Sequence, residues 1–230
     1  MIHPNTTDIK HYFIDALANE EFTTDRTGQK TIEMIGASFM ADKPTIFGTP
    51  NDEYIEIEKA WYESQSTNVN WMSDTYNRNV PAAWKAAANT YGEINSNYGH
   101  IIYSDKYHHQ FGRVLDELLT NLDGRRATMI YTRPSIWEEY NEDGKNDFIC
   151  TNAVTYYIRD NWLQSVVQMR SNDVVFGYKN DYAWQLYVLE QMVSDYNDCR
   201  EKTTPIITAG DIIWQVQNLH VYERHFHLVK

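Results

Sequence analysis

The chain has 230 residues, with 20 lysines and arginines against 32 aspartates and glutamates, and a formal net charge of -12. This length suits one α/β or α+β domain with a substantial core. The negative charge disfavours a surface that wraps nucleic acid, because binding a polyanion requires a basic face. No apolar run is long enough to span a bilayer, and the N-terminus has no signal-like segment. We therefore expect one domain over residues 1–230, in the cytoplasm, without membrane association or direct nucleic-acid binding.

Hydrophobic periodicity divides the chain into interspersed helices and strands. Helices are predicted at residues 9–22, 53–64, 81–90, 105–121 and 182–196. Strands are predicted at residues 31–40, 127–132, 153–158, 162–169 and 210–216. Residues 68–79 and 94–99 are polar or turn-rich, so we expect irregular segments there.

Residues 148–181, FICTNAVTYYIRDNWLQSVVQMRSNDVVFGYKND, are the most informative stretch. Two β-rich runs flank a turn at residues 159–161, so Cys150 and Arg170 are expected on neighbouring strands near one end of a sheet. An arginine there can hold a phosphate through a bidentate fork and lower the pKa of a nearby thiol. Taken alone, the pattern favours a buried structural cysteine over a nucleophile.

Two other patterns suggest metal sites but do not complete one. Residues 141–147 resemble a calcium loop, yet a twelve-residue loop with its glycine at Gly144 would end on Cys150 instead of a glutamate. His220, His225 and His227 have no companion ligands at a recognisable zinc spacing. We therefore expect no bound metal. Cys199 follows the last predicted helix and is expected to be structural or incidental.

Several segments carry a family resemblance. Residues 168–177 (QMRSNDVVFG), 180–181 and 219–222 resemble the nucleotide-binding core of the thymidylate synthase family. Segments 25–28, 58–61, 97–99 and 125–126 match the same family in the same order. Within the family, the resemblance is strongest to the bacteriophage deoxycytidylate (dCMP) hydroxymethylases, through residues 31–39, 92–99 and 130–135.

The resemblance implies a thymidylate synthase-like three-layer α/β (α+β) fold built on a mixed β-sheet, with a homodimer formed sheet against sheet. It implies three catalytic residues, Cys150, Glu58 and Asp181. Cys150 would attack carbon 6 of a pyrimidine, which makes carbon 5 nucleophilic. The helix pattern alone makes Glu58 a surface charge, but the family places a glutamate inside the active site, where it could hold water and shuttle protons.

The resemblance also implies a set of ligand contacts. Substrate would be bound by Arg26, Arg125, Arg126, Arg170, Ser171, Asp173, Asp181, His220, Tyr222, Asn97 and Tyr98. Folate would be bound by Asp173, Gly177 and Trp84. Arg125 and Arg126 would reach the nucleotide phosphate in the partner subunit, and His220 and Tyr222 would bind the deoxyribose 3′-hydroxyl.

The implied co-substrate is 5,10-methylenetetrahydrofolate, and two choices define the reaction. Asp181 stands where the ordinary synthase has an asparagine, and a carboxyl that shares a proton with N3 suits cytosine, which predicts dCMP over deoxyuridylate (dUMP). After one-carbon transfer, hydride would give a methyl group and water a hydroxymethyl group. The sequence ends at Lys230, soon after Tyr222, which predicts looser closure over folate and favours water, with Glu58 positioning it.

The expected function is therefore dCMP 5-hydroxymethylation in a host cell's cytoplasm, where a phage nucleotide-synthesis complex is a conceivable further partner. One alternative is a dCMP methylase or a dUMP enzyme on the same scaffold, which the folate product would distinguish. Another is a non-catalytic nucleotide-binding homologue. Cys150 and Glu58 argue against that last reading, because binding alone needs neither.

Overall fold

A computed structural model describes residues 3–230, which contain eight α-helices and six β-strands. The helices are α1 (Thr6–Ala18), α2 (Asp52–Glu63), α3 (Asn70–Tyr76), α4 (Ala82–Ala87), α5 (Tyr98–Tyr103), α6 (Gln110–Thr120), α7 (Ile136–Glu139) and α8 (Gly177–Cys199). The strands are β1 (Thr23–Thr24), β2 (Lys30–Met40), β3 (Thr128–Ile130), β4 (Thr151–Arg159), β5 (Trp162–Asp173) and β6 (Thr208–Tyr222). Short 3₁₀ turns lie at Asp105–Tyr107, Glu142–Gly144 and Glu223–Leu228.

The strands form one sheet in the order β1-β2-β6-β5-β4-β3. The β5 and β6 strands pair in parallel and every other pair is antiparallel, so the predicted mixed sheet is confirmed. The β4 and β5 strands form the predicted hairpin. Its two turn residues, Asp160 and Asn161, have φ values of 51° and 66°, which give a turn twist that matches the strands.

Buried side chains alternate along the strands, and the alternation reverses at one level of the sheet. Along β5, Val167 and Met169 are buried, but so is Asn172. Along β6, Trp214 and Val216 are buried, and burial resumes at Leu219. Both reversals occur where Ser171 pairs with Asn218. A regular period of two would have buried different residues at the strand ends.

Helix α8 packs against β5 and β6 and supplies much of the core. The helix begins at Gly177, earlier than the predicted residue 182. The prediction missed residues 177–181 because that segment is largely polar and shows no apolar period. The Asp173 carboxylate secures the turn into the helix: its Oδ1 accepts hydrogen bonds from the backbone N–H groups of Val175 (2.9 Å) and Phe176 (2.6 Å). The extra turn makes Asp181 part of a buried helix.

Other boundaries also differ from the predictions. Helices α3 and α5 lie in segments expected to be irregular. Strand β6 continues past residue 216 to Tyr222, which places His220 within a strand. Among the described residues, no helix is long and apolar enough to cross a membrane. Residues 3–230 likewise contain no group of three or more histidine, cysteine, aspartate or glutamate side chains placed to hold a metal ion.

Candidate active site

A cavity of about 530 Å³ lies between α2, α4, the first turns of α8 and the loop that precedes β4. Six of the residues predicted to act in catalysis or binding line this cavity: Glu58, Trp84, Tyr98, Cys150, Gly177 and Asp181. The fold therefore collects residues that are more than a hundred positions apart in the chain into one site.

The Cys150 thiol faces a guanidinium. Sγ lies 3.5 Å from a terminal nitrogen of Arg170, whose Nε donates to the Ile149 carbonyl at 3.0 Å. The guanidinium also stacks on the Phe148 ring, 4.9 Å from its centre, so it is held on three sides. Burial raises the pKa of the Cys150 thiol to about 11, and the negative charges of Asp181 and Asp147 add to this, while Arg170 opposes it. The thiol is therefore protonated in the free protein at neutral pH.

Glu58 is buried, with only 6% of its surface exposed, so the surface position favoured by the helix pattern is wrong. Its Oε1 accepts hydrogen bonds from the Tyr54 hydroxyl (2.5 Å) and the Trp84 indole N–H (3.0 Å). Burial raises the pKa of the Glu58 carboxyl, although both hydrogen bonds oppose that rise. A raised pKa makes the Glu58 carboxylate a stronger base than an ordinary glutamate.

Asp181 projects from α8 into the same cavity. Burial raises the pKa of its carboxyl to about 8, and the charge of Glu58 adds to the rise. The Asn172 side-chain amide opposes it by donating a hydrogen bond of 2.7 Å to Oδ2. At neutral pH the Asp181 carboxyl is therefore largely protonated, as the sequence-based hydrogen-bond argument requires.

Asn97 and Tyr98 have different positions. Asn97 is fully buried outside the cavity, and its amide nitrogen donates to the backbone carbonyls of Trp61 (3.0 Å) and Ser66 (2.8 Å). Its oxygen accepts from the His100 N–H at 2.7 Å, which caps α5. These bonds occupy the Asn97 side chain, so the structure gives it a supporting role instead of the predicted substrate contact. Tyr98 lines the cavity.

Three residues predicted to bind folate or the sugar, Asp173, His220 and Tyr222, lie at the ends of β5 and β6. Asp173 pairs with His220 in the parallel register, and His220 packs edge-on against Tyr222 with ring centres 4.9 Å apart. Burial lowers the pKa of His220, so its imidazole is neutral at pH 7 and can share a hydrogen bond with a hydroxyl group. The Oδ2 atom of Asp173 is buried without a hydrogen-bond partner in residues 3–230. Ser171 precedes these groups on β5.

The remaining predicted phosphate ligands do not reach the cavity within one chain. Arg26 lies in the turn between β1 and β2, where Asp25 Oδ1 accepts backbone N–H bonds from Thr27 (2.8 Å) and Gln29 (2.9 Å). Arg125 is exposed, and the Arg126 side chain is 76% exposed and pairs with Glu117 at 3.1 Å. Only Arg170 of the four predicted arginines stands beside Cys150.

Three cavity-related residues were not predicted from the sequence. Tyr54 contacts Glu58 from one helical turn earlier, a spacing that could have revealed it. Lys179 lines the cavity while its Nζ donates to the Thr49 carbonyl at 3.0 Å. Asn172 is buried only because the alternation of buried and exposed side chains reverses along β5, and no sequence pattern predicted that reversal.

A thiol beside a guanidinium, with two buried carboxyls of raised pKa in the same cavity, suits an enzyme that works by covalent catalysis on a flat polar ring. Comparison with known sequences agrees with that class. The sequence profile named "Thymidylate synthase" matches residues 10–230, and the chain belongs to the thymidylate synthase family.

The chain is 53% identical to the deoxycytidylate 5-hydroxymethyltransferase of Enterobacteria phage T4 over 214 residues, which cover 93% of this chain and 85% of that protein. The enzyme of the same name from phage T2 matches to the same extent. A thymidylate synthase from Francisella philomiragia subsp. philomiragia is 26% identical over 89% of this chain and 76% of its own length. The crystal structure of thymidylate synthase from T4 phage has the same fold, with a TM-score of 0.74 and 20% identity over 95% of this chain and 77% of that chain.

The pKa of Cys150 predicts how its thiol reacts in the free protein. In a Cys199→Ser background, alkylation by iodoacetamide should accelerate about tenfold per pH unit up to about pH 10, because only the thiolate reacts. Asp181→Asn removes a negative charge, so it should lower the pKa of Cys150 and speed alkylation above pH 8. Intact-mass spectrometry measures both rates. The exposed Asp211→Asn is the control, and a rate that levels off below pH 8 would contradict the assignment.

Proposed function

We propose that the protein is a dCMP 5-hydroxymethyltransferase, which transfers a one-carbon unit from 5,10-methylenetetrahydrofolate to carbon 5 of dCMP and completes the reaction with water. The products are 5-hydroxymethyl-dCMP and tetrahydrofolate. The phage relatives bear the name of this activity, and family membership supports the one-carbon transfer. The observation that carries the proposal is that the Cys150 thiol, the Glu58 carboxyl and the Asp181 carboxyl line one cavity.

Cys150 supplies the nucleophile in this proposal. Its sulfur forms a bond to carbon 6, which makes carbon 5 nucleophilic toward the one-carbon unit. Loss of the carbon 5 proton and cleavage of the bond between the one-carbon unit and the folate nitrogen release tetrahydrofolate and leave a methylene group. Water adds to that group, and cleavage of the S–C6 bond restores the ring. No electrons are gained or lost in the water step, so folate leaves at the tetrahydro level. Arg170 stabilises the thiolate that must form before attack.

The residues at the cavity fit a reduced folate, which supplies the one-carbon unit. Trp84 offers an aromatic surface at the cavity. The unpartnered Oδ2 of Asp173 is a ready acceptor for the N–H groups of a pterin ring, and buried acceptors of this kind need a partner. Gly177 lines the cavity between these two residues and leaves space beside them.

Glu58 is proposed to handle water and protons. Its hydrogen bonds from Tyr54 and Trp84 fix Oε1, which leaves Oε2 free to bind a water molecule. Its raised pKa lets the carboxyl accept a proton from that water as it adds to the methylene group. This role favours the hydroxymethyl product over the methyl product.

Asp181 is proposed to read the base. A protonated carboxyl donates through one oxygen and accepts through the other, which complements N3 and the exocyclic amine of cytosine. Uracil presents the opposite order, with a donor at N3 and an acceptor at position 4. The raised pKa of Asp181 supports the protonated form that cytosine requires.

A homodimer would complete the phosphate site. The sheet face that α8 does not cover carries half-buried or exposed side chains from paired strands, including Tyr157, Trp162 and Gln168, and Gln168 bonds to Gln215 at 3.1 Å. Such a face suits a second sheet. The exposed Arg125 and Arg126 would then reach the partner's cavity, where Arg170, Ser171 and Arg26 supply the remaining contacts to the nucleotide. His220 and Tyr222 would bind the 3′-hydroxyl.

The reaction itself is tested with purified protein, 5,10-methylenetetrahydrofolate and dCMP. Mass spectrometry should find 5-hydroxymethyl-dCMP, and absorbance should show no dihydrofolate. Cys150→Ser should lower turnover about a thousandfold or more while dCMP binding persists, because the residue acts as a nucleophile. Cys199→Ser serves as the control. Methylated product with dihydrofolate would establish the methylase alternative, and binding without product would establish the non-catalytic one.

Base choice is tested by Asp181→Asn. An amide can present an acceptor to N3–H of uracil and a donor to its O4, so the ratio of kcat/KM for dCMP over dUMP should fall at least about a hundredfold. Steady-state kinetics with each nucleotide measures the ratio. The matched control is Asp198→Asn, an exposed position on the same helix. An unchanged ratio would exclude Asp181 from base recognition.

Sharing of residues between subunits is tested by mixing inactive variants. Arg126→Ala and Cys150→Ser should each be impaired alone, and refolding them together should restore about a quarter of wild-type activity, because half of the dimers then hold one complete site. Cys150→Ser mixed with Glu58→Gln is the control, since both residues lie in one chain's cavity. Equal recovery in the two mixtures, or a monomeric wild type in sedimentation, would refute a shared site.

A further inference from the structure

Asn172 is a buried amide whose place in the reaction is not explained by the residues described so far. Only 4% of its surface is exposed, and its Nδ2 donates to Asp181 Oδ2 at 2.7 Å. Its Oδ1 is buried and has no hydrogen-bond partner in residues 3–230. Leaving one polar atom of a buried amide without a hydrogen bond costs free energy. The single side-chain bond that Asn172 does make is therefore expected to have a function. That bond is to the carboxyl that faces the base.

The backbone makes room for this contact. A Cβ atom added to Gly177 would lie 3.0 Å from Asn172 Nδ2 and 3.4 Å from Asp173 Cβ. The Asn172 amide therefore packs directly on the first residue of α8, and a side chain at position 177 would push it out of place. The reversal of the β5 alternation brings Asn172, instead of one of its neighbours, against the helix that carries Asp181.

A protonated carboxyl alone does not distinguish cytosine from uracil. Its proton can sit on either oxygen, so the same group can offer donor and acceptor in either order. Ionisable groups near Asp181 are Glu58, Tyr54 and Tyr62 from α2, Tyr98 from α5, Tyr131 after β3, and Cys150 before β4. Burial keeps the carboxyl largely protonated, so some other contact must decide which oxygen carries the proton.

We propose that Asn172 sets the base preference of Asp181, because its N–H bond makes Oδ2 the accepting oxygen and leaves the proton on Oδ1. Oδ2 then has a second lone pair for the exocyclic amine of cytosine, and Oδ1–H donates to N3. Uracil would need the proton on Oδ2, where it would oppose the Asn172 N–H. Asn172 is thus a positioning and specificity-determining residue, and this role rests on the proposed function, in which Asp181 reads the pyrimidine.

Two substitutions separate this role from a merely structural one. Asn172→Leu has a similar volume but removes the donor, so the preference for dCMP over dUMP should fall about tenfold. Asn172→Asp is nearly isosteric and reverses the direction of the bond, because its carboxylate accepts a proton from Oδ2. That variant should lower the preference further than the leucine, by about another tenfold.

The preference is measured as the ratio of dissociation constants for dCMP and dUMP by calorimetry, and as the ratio of kcat/KM values. The matched control is Asn197→Ala, which removes a side chain that bonds the Ile207 backbone at 2.8 and 3.0 Å near the other end of α8. It should lower the denaturation midpoint and leave both ratios unchanged. A general loss of packing would affect the two nucleotides alike, whereas loss of the positioning bond affects dCMP more.

Ratios that stay within twofold of wild type in Asn172→Asp would overturn the inference, even if Asn172→Leu fails to fold. The same result in a folded Asn172→Leu would also overturn it. A wild type that hydroxymethylates dCMP while both variants keep its preference leaves the proposed function intact and removes only the role of Asn172. A wild type that neither binds dCMP better than dUMP nor converts it would refute both.

Discussion

Desolvation of ionisable groups in one small cavity is the constraint on which the site depends. Burial raises the pKa values of Glu58, Asp181 and Cys150 there, because a charge on any of them would be poorly solvated. At neutral pH the Cys150 thiol and most of the Asp181 carboxyl are therefore protonated. The thiol must be deprotonated when substrate binds, and Arg170 is the cation placed to help. In the proposed reaction, the protonated Asp181 carboxyl offers the base a donor and an acceptor, and the raised pKa of Glu58 makes its carboxylate a stronger base toward water.

This environment depends on local features of the fold, each of which involves only a few residues. The Asp173 carboxylate starts α8 early, which places Asp181 within a buried helix. The shared reversal of alternation in β5 and β6 brings Asn172 to that helix. Asn97 holds α5 against the end of α2 through backbone carbonyls, and this fixes Tyr98 at the cavity wall. Each of these contacts holds a polar segment of the chain in one conformation.

The sequence pattern predicted the β4–β5 hairpin and the placement of Cys150 beside Arg170, because these follow from periodicity and turn chemistry, whereas the mixed sheet was implied by the family resemblance. The pattern did not predict that Glu58 is buried, since it places Glu58 beside the apolar stripe of α2, and the bonds that hold its carboxyl come from Tyr54 on the same helix and Trp84 on α4. Asn172 was missed for a similar reason, because alternation predicts its neighbours. Resemblance to a family suggested Glu58 and Asp181 as site residues where pattern reasoning could not, and it also suggested Asn97, whose side chain bonds to the backbone of Trp61, Ser66 and His100 outside the cavity.

A chain with net charge -12 that binds two anionic ligands also needs an electrostatic explanation. The overall charge repels such ligands at long range, but screening limits that repulsion to about 10 Å at ordinary salt concentrations. Within that distance the Asp181 carboxyl is largely neutral at pH 7, whereas Arg170 and Lys179 stay near the cavity as cations anchored to backbone carbonyls. Anchoring to carbonyls instead of carboxylates leaves their charge uncompensated. The local field therefore favours anions even though the surface as a whole does not.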